Sequence, residues 1–183
     1  TPEHPKIPGE PIIKDFEIGT CPVNNCLTIN FAWIFFLSLH SNKKFCFMEN
    51  FKSINPKEIN ENAVKMIGDR WMLITAGKSD SFNTMTASWG TIGFLWGKPV
   101  VYIFIRPQRH TFGFVEKENE FTLSFFSEEY RKALNICGST SGRDCNKVER
   151  AGLSPIFTEK GNVSFKEANM VLECRKLYSD YIK

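Results

Sequence analysis

Apolar and polar positions follow two rhythms along this chain, one of period two and one near 3.6, and these lay out its elements. Residues 83–89 (NTMTASW) alternate small polar with apolar side chains, which fits a half-buried strand. Residues 71–76 (WMLITA), 100–105 (VVYIFI), 120–126 (EFTLSFF) and 171–177 (VLECRKL) read as further strands, rich in β-branched and aromatic residues. Gly77-Lys78-Ser79-Asp80 and Gly97-Lys98 separate strands as turns. Helical spacing appears between these runs. Asn55-Pro56-Lys57-Glu58 supplies an N-cap, a proline at the first position and an acid at the third. Ile59, Ala63, Met66 and Ile67 then share one face, predicting a single helix. Residues 111–118 predict a short helix with Phe112 and Val115 inward. Ser127-Glu128-Glu129 opens another through Ile136, with Tyr130, Ala133, Leu134 and Cys137 on one side and Gly138 as its stop. Residues 139–142 read as a small-residue loop, and 144–151 as a short helix closed by Gly152. Strands interspersed with short helices, without a βαβ rhythm, predict a mainly β fold with short helices (α+β): a mostly antiparallel barrel with helices around it.

Residues 1–47 break this pattern. Residues 1–11 carry four prolines and read as extended chain. Residues 27–39 (LTINFAWIFFLSL) are almost wholly apolar. Those thirteen residues fall short of the ~20 a membrane span needs. A signal-peptide core follows a basic start, whereas acidic residues precede this one. The run therefore reads as a buried strand or helix, with no membrane role. Met48 opens a segment that reads as a domain start, so residues 1–47 are expected to be an extension of unknown role and 48–183 one domain.

Composition agrees with a single domain: 183 residues and 21.0 kDa, with 17 Phe to fill a core. A net charge of +3, with no basic tract, gives no reason to expect a nucleic-acid partner. The six cysteines form no C-x-x-C pair and histidines are scarce, so no zinc site is expected. The cysteine spread reads as reduced thiols of a cytoplasmic protein.

The candidate chemistry lies in residues 82–111. Small side chains on the 83–89 strand would let a ligand approach the backbone, and the nearby hydroxyls would meet a flat ring with carbonyls and nitrogens. The 100–105 strand delivers Arg106-Pro107-Gln108-Arg109-His110-Thr111, two guanidiniums and a hydroxyl at a strand end, ahead of a helix start. Such a corner suits a phosphate, because arginine binds it through a planar fork and a helix start adds N–H donors. The same residues also fit a plain strand followed by a solvated arginine pair. No G-x-G-x-x-G follows a strand, so a Rossmann nucleotide site is unsupported.

Residues 83–89 (NTMTASW), 106–111 (RPQRHT), 120–126 (EFTLSFF), 137–147 (CGSTSGRDCNK) and 172–176 (LECRK) resemble, in order and spacing, the flavin reductase-like family of FMN-binding split barrels, flavoredoxin-type members above all. The resemblance runs from about Met48 to the C-terminus. It implies an FMN-binding split β-barrel, usually a homodimer with flavin near the subunit interface. Carried over residue by residue, it implies Met85, Thr86, Ala87 and Ser88 beside the flavin ring and ribityl chain. Arg106, Arg109 and Thr111 would hold the phosphate, and Ser141, Gly142 and Lys147 would form a second cofactor segment. Lys147 is either a countercharge to phosphate or a solvated helical lysine. His110 is a cofactor contact or a surface histidine at a helix start, and Cys145 is read as packing.

The resemblance further implies NAD(P)H as electron donor, an unidentified acceptor, and no dedicated catalytic acid, base or nucleophile, since the cofactor carries the chemistry. An electron carrier without enzymatic activity is the alternative reading. The family usually adds a strand and a closing segment after residues 172–176, so an incomplete barrel with an open edge is expected here. A product that has lost flavin binding is the third alternative.

Overall fold

The computed structural model describes residues 17–20 and 51–181. The predicted apolar run at 27–39 and the extended start at 1–11 lie outside them.

A six-stranded sheet carries the fold, in the order β2-β1-β10-β7-β3-β4. Its strands are β1 (Glu17–Thr20), β2 (Lys52–Ile54), β3 (Met72–Lys78), β4 (Ser81–Ala87), β7 (Glu120–Phe125) and β10 (Met170–Arg175). Every pairing among them is antiparallel. β5 (Gly90–Leu95) and β6 (Lys98–Ile103) form a separate hairpin, as do β8 (Pro155–Phe157) and β9 (Val163–Phe165). The described strands do not join into a closed barrel.

Period-two alternation explains why the sheet has two packed faces. On β7, Phe121, Leu123 and Phe125 enter a core with Ile74, Met85, Leu172 and Cys174. The hairpin residues Ile92, Val101 and Ile103 pack against that same face. Thr122 and Ser124 point the opposite way and bond to the β8–β9 hairpin, through the Val163 carbonyl at 2.5 Å and Ser164 at 2.9 Å. On that second face Leu73, Phe126 and Val171 pack with Ala133, Leu134, Cys137 and Val148 from two helices. Each buried side chain of this size contributes about 1.5–3 kcal/mol, so a register slip of one residue would forfeit both cores at once.

The helices are α1 (Ala63–Gly68), α2 (His110–Lys117), α3 (Arg131–Ser139) and α4 (Lys147–Arg150). The single helix expected after Asn55 is two pieces. Asn55 caps only a 3-10 turn over Pro56–Glu58, and the helix restarts where the Asn62 side chain accepts from the Val64 and Lys65 amides. The helix expected to stop at Gly138 continues to Ser139. The β8–β9 hairpin had no expectation in the pattern of the chain. It is tied down by Asn162, whose side chain donates to Glu120 and Glu173 and accepts from Lys78. The sheet also crosses the boundary expected at Met48, because the Glu17–Thr20 backbone lies between β2 and β10.

Candidate functional site

β4 is an edge strand: among the described residues it pairs with β3 and with no strand beyond. An edge strand leaves alternate N–H and C=O groups facing outward. Three segments converge along this edge. α2 packs on β3 and β4, α3 packs on β4, and residues 140–146 lead from α3 to α4.

Alternation divides the β4 side chains. Met85 and Ala87 are buried in the first core, so their side chains are committed to packing and only their main chain faces the edge. Thr86 turns to the other face and donates to the Leu134 carbonyl of α3 at 2.5 Å. α3 lies close here because it presents Gly138; a Cβ at that position would sit 3.2 Å from Thr86 Cβ. Ser88 is half-buried at the end of the strand.

The predicted cationic residues separate. Arg106 is exposed and its guanidinium lies over the Trp89 ring, 4.8 Å from the centroid. Arg109 occupies the N-cap position of α2 and reaches across to the Gly138 carbonyl at 2.8 Å. Lys147 is 4% exposed, which rules out the solvated lysine. Its ammonium donates to the Cys137 carbonyl at 3.2 Å and the Thr140 carbonyl at 3.3 Å. Both cations therefore sit at the C-terminus of α3, where the helix dipole and open carbonyls favour positive charge. Burial pushes the Lys147 ammonium's pKa down; Cys137 opposes this and Arg109 adds to it. Burial lifts the Cys137 thiol to about 11, with Lys147 pulling the other way. A guanidinium has five donor hydrogens and an ammonium three, so each keeps donors for a ligand.

α2 begins without a side-chain cap, since Arg109 offers no acceptor to the first-turn amides. Thr111, 1% exposed, accepts a hydrogen bond from Asn83 Nδ2 at 2.8 Å. Asn83 is itself 6% exposed and faces Gly142, where an added Cβ would stand 2.1 Å from Asn83 Oδ1. Ser141 is folded into its own turn: its hydroxyl accepts from the Arg143 amide at 3.1 Å. Arg143 leans back to the Gln108 carbonyl at 3.5 Å. Burial lowers the His110 pKa first, and the Arg143 and Lys147 charges lower it further. Beside these residues lies a cleft of about 690 Å³, lined by Phe82, Asn83, Gly142, Arg143, Asn146 and Lys147. Asp144 and Glu149 also line it, so its charge is mixed rather than uniformly basic.

The structure thus gathers Thr86, Arg109, Thr111, Gly142 and Lys147 around the α2 start and the α3 end. It places Met85 and Ala87 on the core side and Arg106 on Trp89. Two residues beside this cluster were not expected there. Asn83 shares the strand parity of Met85 and Ala87, and a polar residue on an apolar face was a readable signal. Arg143 lay between Gly142 and Asp144, inside a motif already singled out. Among the described residues, no group of three or more His, Cys, Asp or Glu could hold a metal. No described helix is long and apolar enough to cross a membrane.

An edge strand of a mainly β domain thus faces two helix ends, with cations and hydroxyls at their junction. The flavin reductase like domain matches residues 65–180, and the chain belongs to that family. An uncharacterised protein of Pyrococcus abyssi is 32% identical over 117 residues, covering 61% of this chain and 66% of that protein. The flavoredoxin of Desulfovibrio vulgaris has a similar fold, with TM-score 0.55, 24% identity, and 61% of each chain covered. The flavoredoxin of Methanosarcina acetivorans gives TM-score 0.56 at 20% identity, covering 62% of this chain and 60% of that one. The FMN-binding domain of a flavin reductases-like enzyme from Shewanella baltica gives TM-score 0.54 at 18% identity over the same shares, 62% and 60%. The chain thus spans 60% to 66% of the length of these relatives.

Proposed function

We propose that this chain binds FMN along the β4 edge and acts as an oxidoreductase that takes electrons from NAD(P)H and passes them to an acceptor. The observation that carries the reading is the convergence of Arg109, Thr111, Gly142 and Lys147 beside the uncapped start of α2. That donor set fits a phosphate monoester, which carries nearly two negative charges near neutral pH. The glycine at 142 lets this loop lie against Asn83, where a side chain would clash. The outward main chain of β4 suits the carbonyls and ring nitrogens of an isoalloxazine. When bound, the flavin supplies hydride and electron chemistry that side chains lack. The protein's part is to bind and orient it and to offer amides to its polar edge.

We further propose a homodimer. Trp89, Phe94, Trp96, Tyr102 and Phe104, on and beside the β5–β6 hairpin, are exposed. Tyr102, near the end of β6, and Phe104, just past it, share one face by alternation, an exposed apolar surface of the kind that marks a protein contact. The same surface favours a second reading, a flavin-dependent electron carrier served by a protein partner rather than by a pyridine nucleotide. The free thiols of Cys137, Cys145 and Cys174 support a reducing compartment such as the cytoplasm.

An absorption spectrum of the purified protein tests flavin binding directly. A flavin band, or quenching of added FMN fluorescence, is expected, and neither would appear if the reading were wrong. Oxidation of NADH or NADPH then separates the two readings. Turnover supports the oxidoreductase, whereas bound, reducible FMN without turnover supports the carrier.

A further inference from the structure

We propose that Asn83 is a positioning residue that sets the direction of the Thr111 hydroxyl proton and so determines how well the site holds a phosphate. The inference rests on the FMN reading above. The geometry has three parts. Asn83 Nδ2 donates to Thr111 Oγ1 at 2.8 Å, and both side chains are almost fully buried. A hydroxyl has two acceptor sites and one proton. With an amide hydrogen occupying an acceptor site, the proton of Thr111 is left to donate, at the first turn of α2 where an anion would lie. The amide is held in place because Gly142 packs against its other end, with only a hydrogen where a Cβ would stand 2.1 Å from Asn83 Oδ1. One side chain therefore joins β4, α2 and the 140–146 loop, and fixes a donor that the Thr111 rotamer alone would leave free to rotate. A buried amide is the right group for this. It donates without adding charge, whereas a carboxylate in its place would accept the Thr111 proton and repel the anion.

The placement predicts how substitutions behave. Asn83→Asp reverses the hydrogen bond and adds a negative charge. Gly142→Ala leaves Asn83 intact but drives its amide away. The backbone at Gly142 lies outside the left-handed region, so the alanine itself is not strained. Thr111→Val removes the hydroxyl while keeping the shape, and Thr111→Ser restores it.

The test measures dissociation constants for FMN and for riboflavin, which lacks the phosphate, by flavin fluorescence quenching, with a thermal melt of each variant. Arg109→Ala is included as a reporter of the phosphate site. Asn83→Asp, Gly142→Ala and Thr111→Val are each expected to weaken FMN about tenfold or more while changing riboflavin by less than about threefold, and Thr111→Ser to bind FMN normally. Asn83→Leu combined with Thr111→Val should be no worse for FMN than the more damaging single change, because both remove one donor. If the Asn83 and Gly142 variants weaken both flavins equally, or lower the melting temperature without discriminating, Asn83 only packs and the inference fails. Should Arg109→Ala still discriminate in that case, the phosphate site stands without Asn83. Should it not, or should the unmodified protein bind neither flavin, both the site and the inference fall.

Discussion

Arg109 and Arg106 are three residues apart, yet the structure gives them different work. Arg109 crosses to the Gly138 carbonyl at the end of α3, whereas Arg106 stacks on Trp89 in solvent. Arg109→Ala is therefore expected to cost FMN the ~1.5–3 kcal/mol of a charge-assisted bond, tenfold or more in affinity. Arg106→Ala should cost less, because an exposed cation is screened. Paired FMN and riboflavin titrations check both, and equal losses would remove the distinction. His110 gives a second residue-scale expectation. Burial, Arg143 and Lys147 hold its pKa below the ordinary 6.5, so the neutral imidazole is favoured in the folded state. The associated stability is complete above that value and is lost as pH falls through the lowered folded pKa. A phosphate beside α2 would reverse the sign of the local field and raise the His110 pKa. An NMR titration with and without FMN reads the shift, and an unmoved His110 resonance would refute it. The placement of Arg109 and Thr111 at a helix start was legible because residue type and order alone suggest such a corner. The split between Arg106 and Arg109 was not, since it depends on where Trp89 and Gly138 end up in space.

At the scale of elements, local signals worked where they agreed with packing. The strand expected at residues 71–76 and the helix expected at 111–118 appear within a few residues of their predicted bounds, because alternation or helical spacing matches a buried face there. The helix expected after Asn55 failed because two asparagines compete as caps, and Asn62 captures two amides where Asn55 captures one. Asn62→Ala is expected to lower stability by ~1 kcal/mol, read from a urea midpoint, whereas an unchanged midpoint would show that packing alone holds α1. Gly77 closes the β3–β4 hairpin with φ of +109°, and a Cβ there would stand 2.2 Å from the Ser81 carbonyl oxygen. Gly77→Ala should therefore cost more than the ~1 kcal/mol typical of a left-handed alanine, and it should disturb the β4 end that carries Asn83. Denaturation together with FMN titration checks both effects. The β8–β9 hairpin escaped the sequence reading because its strands are three residues each and its anchor, Asn162, reaches side chains from three distant strands.

At the scale of the whole molecule, the mainly β class with surrounding helices was readable from the chain, and the described strands leave the barrel open, as expected. What composition could not say is that β10 is flanked by β1, drawn from a stretch read as foreign to the domain. Deleting residues 1–20 would strip that strand and expose the backbone of β10. A lower urea midpoint and concentration-dependent light scattering are expected. Unchanged stability would mean that β1 adds nothing to the sheet. The dimer proposal belongs to this scale too. Charge introduced on the hairpin, as in Trp96→Lys, should shift sedimentation toward monomer if that surface joins two copies. Finally, β4 lies at one margin of the sheet, while Leu123, Phe125 and Leu172 fill its middle. The exposed Arg143, Asp144 and Asn146 beside β4 can thus change with little effect on the interior, whereas Gly142 cannot, because it packs on buried Asn83. Substitutions at such exposed margin positions and substitutions in the middle of the sheet therefore act largely apart, the first on the surface presented and the second on whether the chain folds.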